Sequence, residues 1–220
     1  VTARAASRAS YVDAYRKMRE GTLYLIIAFL LIGVGGIAAL LTALPTYYTS
    51  AFAGLERGAK VASALTVVLL SLMILLVIGS VIGLIGLWGK FVPGVRRLAE
   101  LNPEFGTSST LIYVGLFWGT ILMIIGAVLL VVLVGVFIMV VAAILIIIGY
   151  VGLIMLGFRL NDLEKNSLYL AAGILFVIGI FVPIVGFIAW ILLYVALGES
   201  IKKAEATPAA PTTPASLSSS

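Results

Sequence analysis

The side chains able to do chemistry in this chain are few. Five hydroxyl groups, on Ser71, Ser80, Tyr113, Thr120 and Tyr150, fall inside apolar stretches, and four carboxylates, Glu100, Glu104, Asp162 and Glu164, fall beside them. A helical Ser or Thr can bond a backbone carbonyl one turn earlier, so structural satisfaction is the default reading of the hydroxyls. The carboxylates could hold a divalent ion, but Arg96, Arg97, Arg159 and Lys165 stand among them, and neutralised surface charge is the simpler account. With no histidine and no cysteine, the chain alone supplies no His-containing triad, haem ligand, iron–sulfur thiolate or conventional structural zinc site. No cofactor, metal-binding residue or catalytic residue is expected, and an enzyme is the less favoured reading.

These residues are positioned by elements that are almost wholly apolar. Of the 220 residues, 63% are hydrophobic and 10% charged, and the mean hydropathy of +1.26 lies far outside the soluble globular range. From Phe105 to Phe158, fifty-four residues pass without a charged side chain. As one straight helix, Leu111 to Phe158 would reach about 72 Å, more than twice a hydrocarbon core of roughly 30 Å. The run must therefore fold back inside the membrane. Frequent glycine and the lack of strand-length alternation favour close-packed helices over a barrel. The fold class expected is all-α, a polytopic transmembrane helical bundle.

The charged clusters separate the spans. Thr22 to Leu44 makes the first, ending at Pro45 with Tyr47 and Tyr48 at interfacial depth, and Val61 to Leu87 makes the second. The long uncharged run holds the third and fourth, with the turn expected at Gly135. The last block, Leu168 to Leu197, fits either one tilted helix or a hairpin turning at Pro183 and Gly186, because proline removes a backbone donor and glycine eases the turn. Six spans are preferred, with five as the alternative. Six spans put Arg4, Arg8, Arg16, Lys17, Arg19, Lys90, Arg96, Arg97, Arg159, Lys165, Lys202 and Lys203 on the side of the N-terminus, against Arg57 and Lys60 opposite. The positive-inside rule then makes the N-terminus cytoplasmic in the cell membrane. The expected organisation is an interfacial amphipathic segment over 1–21, a transmembrane domain over 22–205 and a disordered Pro/Ala/Thr/Ser-rich tail over 206–220. Ala51-Phe52-Ala53 resembles a signal-peptidase site, but the apolar stretch before it is longer than a typical signal core, so an uncleaved anchor is preferred.

Two segments carry amphipathic patterns. Tyr11, Tyr15, Met18 and Thr22 recur at helical spacing among basic residues, and Val95, Leu98 and Leu101 do so after Pro93; both suit helices lying on an anionic headgroup surface. Inside the membrane, Gly79 with Gly83 and Gly115 with Gly119 match the small-xxx-small spacing that brings helix backbones together. Internal packing is the first expectation for them, and homodimerisation through Gly79 and Gly83 the sharper one. The basic residues form no dense patch, so no nucleic-acid partner is expected despite a pI near 9.6.

Three stretches carry a family resemblance: Tyr15-Arg-Lys-Met-Arg-Glu-Gly-Thr-Leu23, Leu101-Asn-Pro-Glu-Phe-Gly106, and Ile178-Gly-Ile-Phe-Val-Pro-Ile-Val-Gly186 with Ile191-Leu-Leu-Tyr194. Across residues 11 to 203 the chain resembles a multi-pass membrane family catalogued as domain of unknown function 973. Gly106-Thr-Ser-Ser-Thr110 departs from the family's more glycine-rich segment. The resemblance implies an archaeal cytoplasmic membrane, and it transfers no site residue and no catalytic role.

No ionisable residue lies mid-span, which disfavours proton-coupled transport and voltage sensing. The favoured reading is a structural or accessory subunit packing in a membrane complex; the alternative is a small transporter or channel for an uncharged or apolar solute. The expected partners are the lipid bilayer and either a membrane-protein partner or a second copy of the chain. A topology reporter fused after Ser220 should read on the same side as one at the N-terminus; opposite readings would rule out six spans.

Overall fold

The structure, a computed structural model, describes residues 2–51, 55–131 and 133–206, without the side chains of 2–7, 43, 46, 47, 49–51, 55–65 and 131. All but the first residue of the expected tail, and most of the Ala51-Phe52-Ala53 pattern, lie outside the described residues. Helix dominates because backbone donors and acceptors buried in hydrocarbon must be paired within their own segment. Helix α1 runs Thr2–Ala51. Helix α2, Leu55–Leu84, passes through a π-helical segment, Ile85–Phe91, into α3, Val92–Leu101. After a 3₁₀ turn at Pro103–Phe105 the chain continues as α4, Gly106–Ile112, a second π-helical segment, Tyr113–Trp118, and α5, Gly119–Val128. Then come α6, Val134–Glu164, α7, Ser167–Gly179, and α8, Pro183–Ala206.

The chain is all-α over its described residues, and five of its helical rods are long and apolar enough to cross a membrane. The last apolar block is a hairpin that turns before Pro183. Its first arm, α7, has only 13 residues, or about 20 Å of rise, and stops short of the far side of a roughly 30 Å core. Asn166 starts this arm by accepting a hydrogen bond from the Leu168 amide at 3.0 Å. Just before it, Lys165 closes α6 in the left-handed region at φ 54°. Among the described residues, the turn in the long uncharged run takes in Leu129–Val131 and Leu133. Gly135 is already in the first turn of α6, where a side chain would run into the backbone of Leu129 and Leu130. Close approach, rather than the turn itself, is what excludes a side chain there.

The helices form a ring at the charged end. Going round it, α1 packs on the π-helical segment before α3 and on α3, α3 on α4, α4 on α6, α6 on α7, α7 on α8, and α8 back on α1. The hairpin of the last block is held close at Gly179 and Gly186, where a methyl on Gly179 would come 2.6 Å from Gly186 Cα. The centre of the ring is filled. Phe91 meets Trp190 edge-on with centroids 5.2 Å apart, Trp190 meets Phe176 at 5.0 Å, and Phe176 meets Tyr150 at 6.3 Å, a ladder reaching from the second rod to α6. Leu153, Leu156, Leu193 and Leu197 pack around it, each 1% exposed or less.

Away from the charged end the ring opens. Once the α7–α8 hairpin stops, the α1–α2 pair and the α5–α6 pair continue without a packed interface between them among the described residues. Their apolar side chains are correspondingly exposed: Leu41 is 66%, Met73 63%, Phe137 71% and Leu133 80% accessible. In a bilayer these faces are solvated by lipid.

The amphipathic stripes at the charged end differ from the surface helices expected of them. Residues 2–21 continue α1 without a break, and Tyr15, Met18 and Thr22 are buried in protein, as are Val95 and Leu98. Met18 lies against Gly94 of α3, where a methyl would come 2.7 Å from Met18 Cγ. The stripe faces neighbouring helices instead of headgroups, because helix-to-helix burial and membrane-surface burial demand the same periodicity.

The ring seams make a direct prediction. A methyl on Gly115 would sit 2.6 Å from the Leu145 carbonyl oxygen and closer still to the Gly149 backbone, whereas one on Gly33 meets nothing within 4 Å. Gly115→Val should lower stability by about 3 kcal/mol or prevent folding. Gly33→Ala should change it by less than about 0.5 kcal/mol. Thermal unfolding of both variants in one detergent compares them.

Candidate functional site

The charged rim gathers four chain segments that are far apart in sequence. Tyr15 on α1 donates to Glu164 Oε1 at 2.8 Å, and Tyr169 on α7 shares a 2.8 Å hydrogen bond with Ser200 on α8. Asn166 donates to Glu199 at 2.8 Å, and Lys203 donates to the Glu164 carbonyl at 3.1 Å. Around these, Lys90 pairs with Glu20 at 2.8 Å, Arg97 with Asp13 at 3.2 Å and Arg16 with Glu205 at 3.3 Å. The exposed pairs contribute little each. The buried tyrosine bonds matter more, because a buried polar atom left without a partner costs about 1–3 kcal/mol.

Between α6, α7 and α8 the rim encloses a polar recess of about 330 Å³, lined by Glu164, Lys165, Asn166, Ser167, Glu199, Ser200 and Lys203. Two carboxylates face two ammonium groups, so the recess offers donors and acceptors with no net charge. Among the described residues no three Asp, Glu, His or Cys groups lie together where they could hold a metal. Glu100, Glu104, Asp162 and Glu164 are not brought into one cluster.

A second feature was not legible from residue types. The two π-helical segments stand opposite each other where the two long pairs diverge. Trp88 of the first meets Phe117 of the second at 5.0 Å, Phe117 stacks on Tyr113 at 5.0 Å, and the Arg96 guanidinium covers the Tyr113 ring at 5.0 Å. Trp88 Nε1 is buried without a hydrogen-bond partner. π-Helical insertions occur often at functional positions, and this pair shares one aromatic cluster. Spacing of aromatic residues could have suggested such a cluster; nothing in the sequence signals the π geometry.

Gly79 and Gly83 face α1, where methyls would meet Ile32 Cγ1 at 2.7 Å and Ala28 Cβ at 3.3 Å respectively. Gly115 faces Leu145 and Gly149 of α6, and Gly119 faces Ile146, with Cγ1 2.9 Å from a methyl built there. Pro183 opens α8 and Gly186 lies in its first turn against Gly179. Of the five hydroxyls, Ser71 donates to Val67 O at 2.8 Å and Thr120 donates to Leu116 O, each one turn back. Tyr113 and Tyr150 join the aromatic contacts already described, and Ser80 is half-buried on α2.

The family model described as protein of unknown function (DUF973) matches residues 12–219. The chain belongs to that family. The match takes in every ring helix and all of the rim contacts named above. No curated protein and no solved structure matches the chain.

The Tyr15–Glu164 bond joins the first helix to the fourth rod, so its loss should be felt globally. Tyr15→Phe should lower stability by about 1.5–3 kcal/mol, the range for a hydrogen bond to a charged partner. Combined with Glu164→Gln, the two losses should fall short of additivity by at least about 0.5 kcal/mol. Unfolding of the two single variants and the double variant in detergent measures the coupling.

Proposed function

We propose that this chain is a multi-pass protein of the archaeal cell membrane that serves as a structural or accessory subunit, with its charged rim and N-terminus on the cytoplasmic face. The twelve basic residues on the side of the N-terminus support that orientation, and the family resemblance supports the membrane of origin. The observation that carries the role is the open end of the ring. Beyond the α7–α8 hairpin, two apolar helix pairs share no packed interface among the described residues, so the protein offers unpartnered helix faces to the membrane without closing them on itself.

The filled centre supports the same reading over transport. A solute crossing the ring would have to displace the Phe91–Trp190–Phe176–Tyr150 ladder, which belongs to the buried apolar cluster of the bundle. Helix association in lipid depends on close packing of small residues, and the small-residue seams of this bundle are turned inward, onto α1 and α6. Gly79, Gly83, Gly115 and Gly119 are therefore assigned to holding the subunit together. A partner would meet larger side chains on the outer faces of the two pairs.

Isolation of the full-length protein from its native membrane in mild detergent, after lipid-phase crosslinking, tests the role. A stoichiometric membrane-protein partner or a dimer is the expected product. Recovery of a lone monomer under both conditions would contradict it.

A further inference from the structure

We propose that the flank of the α1–α8 seam binds one lipid with an anionic phosphate headgroup, taken from the leaflet on the charged side, with Arg19 holding the headgroup and the groove at the hairpin tip holding a chain. Arg19 lies at the rim end of this seam. Its guanidinium covers the Tyr194 ring at 4.5 Å, its Nε is buried without a hydrogen-bond partner, and it packs over Gly198, where a methyl would come 3.1 Å from that Nε. No carboxylate pairs with it among the described residues, unlike Arg16, Lys17, Lys90 and Arg97 around it. A partly desolvated guanidinium at headgroup depth, fixed by an aromatic ring, is suited to a phosphate oxygen.

The apolar half lies on the same faces. A groove of about 280 Å³ is lined by Phe29, Leu30, Gly33, Val34 and Ile37 of α1 and by Pro183, Ile184 and Phe187 of α8. Leu30 is eleven residues on from Arg19 and so on nearly the same side of α1, and Phe187 is seven from Tyr194 on α8. From Arg19 to Gly33 the helix rises about 21 Å and to Leu30 about 16 Å, close to the roughly 15 Å depth of one leaflet. The groove exists because the α7–α8 hairpin stops short and leaves α1 uncovered beyond it. A lipid whose phosphate is at the rim would end its chain there.

The test uses the full-length protein in nanodiscs of equal parts phosphatidylglycerol and phosphatidylcholine with matched chains, followed by native mass spectrometry of the lipid retained after detergent transfer. Wild type should retain phosphatidylglycerol over phosphatidylcholine by about fivefold, the scale of one basic group near the surface. Arg19→Gln should abolish that preference, and Arg19→Lys should keep most of it. Gly33→Leu fills the groove from a position that faces open space, and should cut retention of both lipids severalfold. An unchanged preference in Arg19→Gln, or unchanged retention in Gly33→Leu, would overturn the proposal. So would displacement of the lipid by inorganic phosphate alone, which marks an ion site without a chain site. Recovery of a lipid-free dimer would assign the groove to a second copy and overturn it too.

Discussion

Ionised side chains cost several kcal/mol or more when placed in hydrocarbon, and this chain answers that cost by keeping charge out of its spans, most of it at the rim and Glu56, Arg57 and Lys60 at the opposite end, in the first turns of α2. The apolar segments between charged clusters are then obliged to leave the rim and return to it. Each return is a helix pair, since only helices satisfy their own backbone in lipid. The rim contacts fasten the three pairs where they begin. Tyr15–Glu164, Tyr169–Ser200 and Lys90–Glu20 join α1 to α6, α7 to α8, and α1 to the second rod.

The unequal lengths of the pairs do the rest. Two long pairs and one short pair close a ring only as far as the short one reaches. Within that depth the centre can be filled, and bulky aromatic side chains fill it. Past it, the long pairs share no packed interface among the described residues. The two π-helical segments lie on the rim side of this transition, where Trp88 and Phe117 make the contact between the second and third rods before these part. An inserted residue shifts the faces of a helix, so a rod can present one side to the ring and another to its own pair partner.

The sequence made the helix number and the returns legible because charge and hydropathy are one-dimensional signals. Arg159 to Lys165 had to lie at an interface, and Pro183 had to begin a helix or break one. Other features needed three dimensions. The stripe of Tyr15, Met18 and Thr22 satisfies a membrane surface and a helix interface equally well, and only the position of Gly94 opposite Met18 decides between them. Gly135 suggested a turn because glycine permits one, yet it is required by the close backbone of Leu129. The polar recess at Glu164 and Glu199 joins residues from separate clusters, and no spacing within either cluster foretells it.

The absence of native cysteine makes the open end directly measurable. A methyl on Gly35 would lie 3.5 Å from Leu75 Cβ, within the Cβ separations of roughly 3.5–4.5 Å that disulfides adopt, so paired cysteines there should crosslink readily. Val77 and Val128 are each eleven residues beyond the Trp88–Phe117 contact, on α2 and α5, which share no packed interface among the described residues. In nanodiscs under one oxidant, the Gly35→Cys/Leu75→Cys pair should form its disulfide and the Val77→Cys/Val128→Cys pair should not. Equal crosslinking of both would show the long pairs closed on each other, and would contradict the open ring on which the account rests.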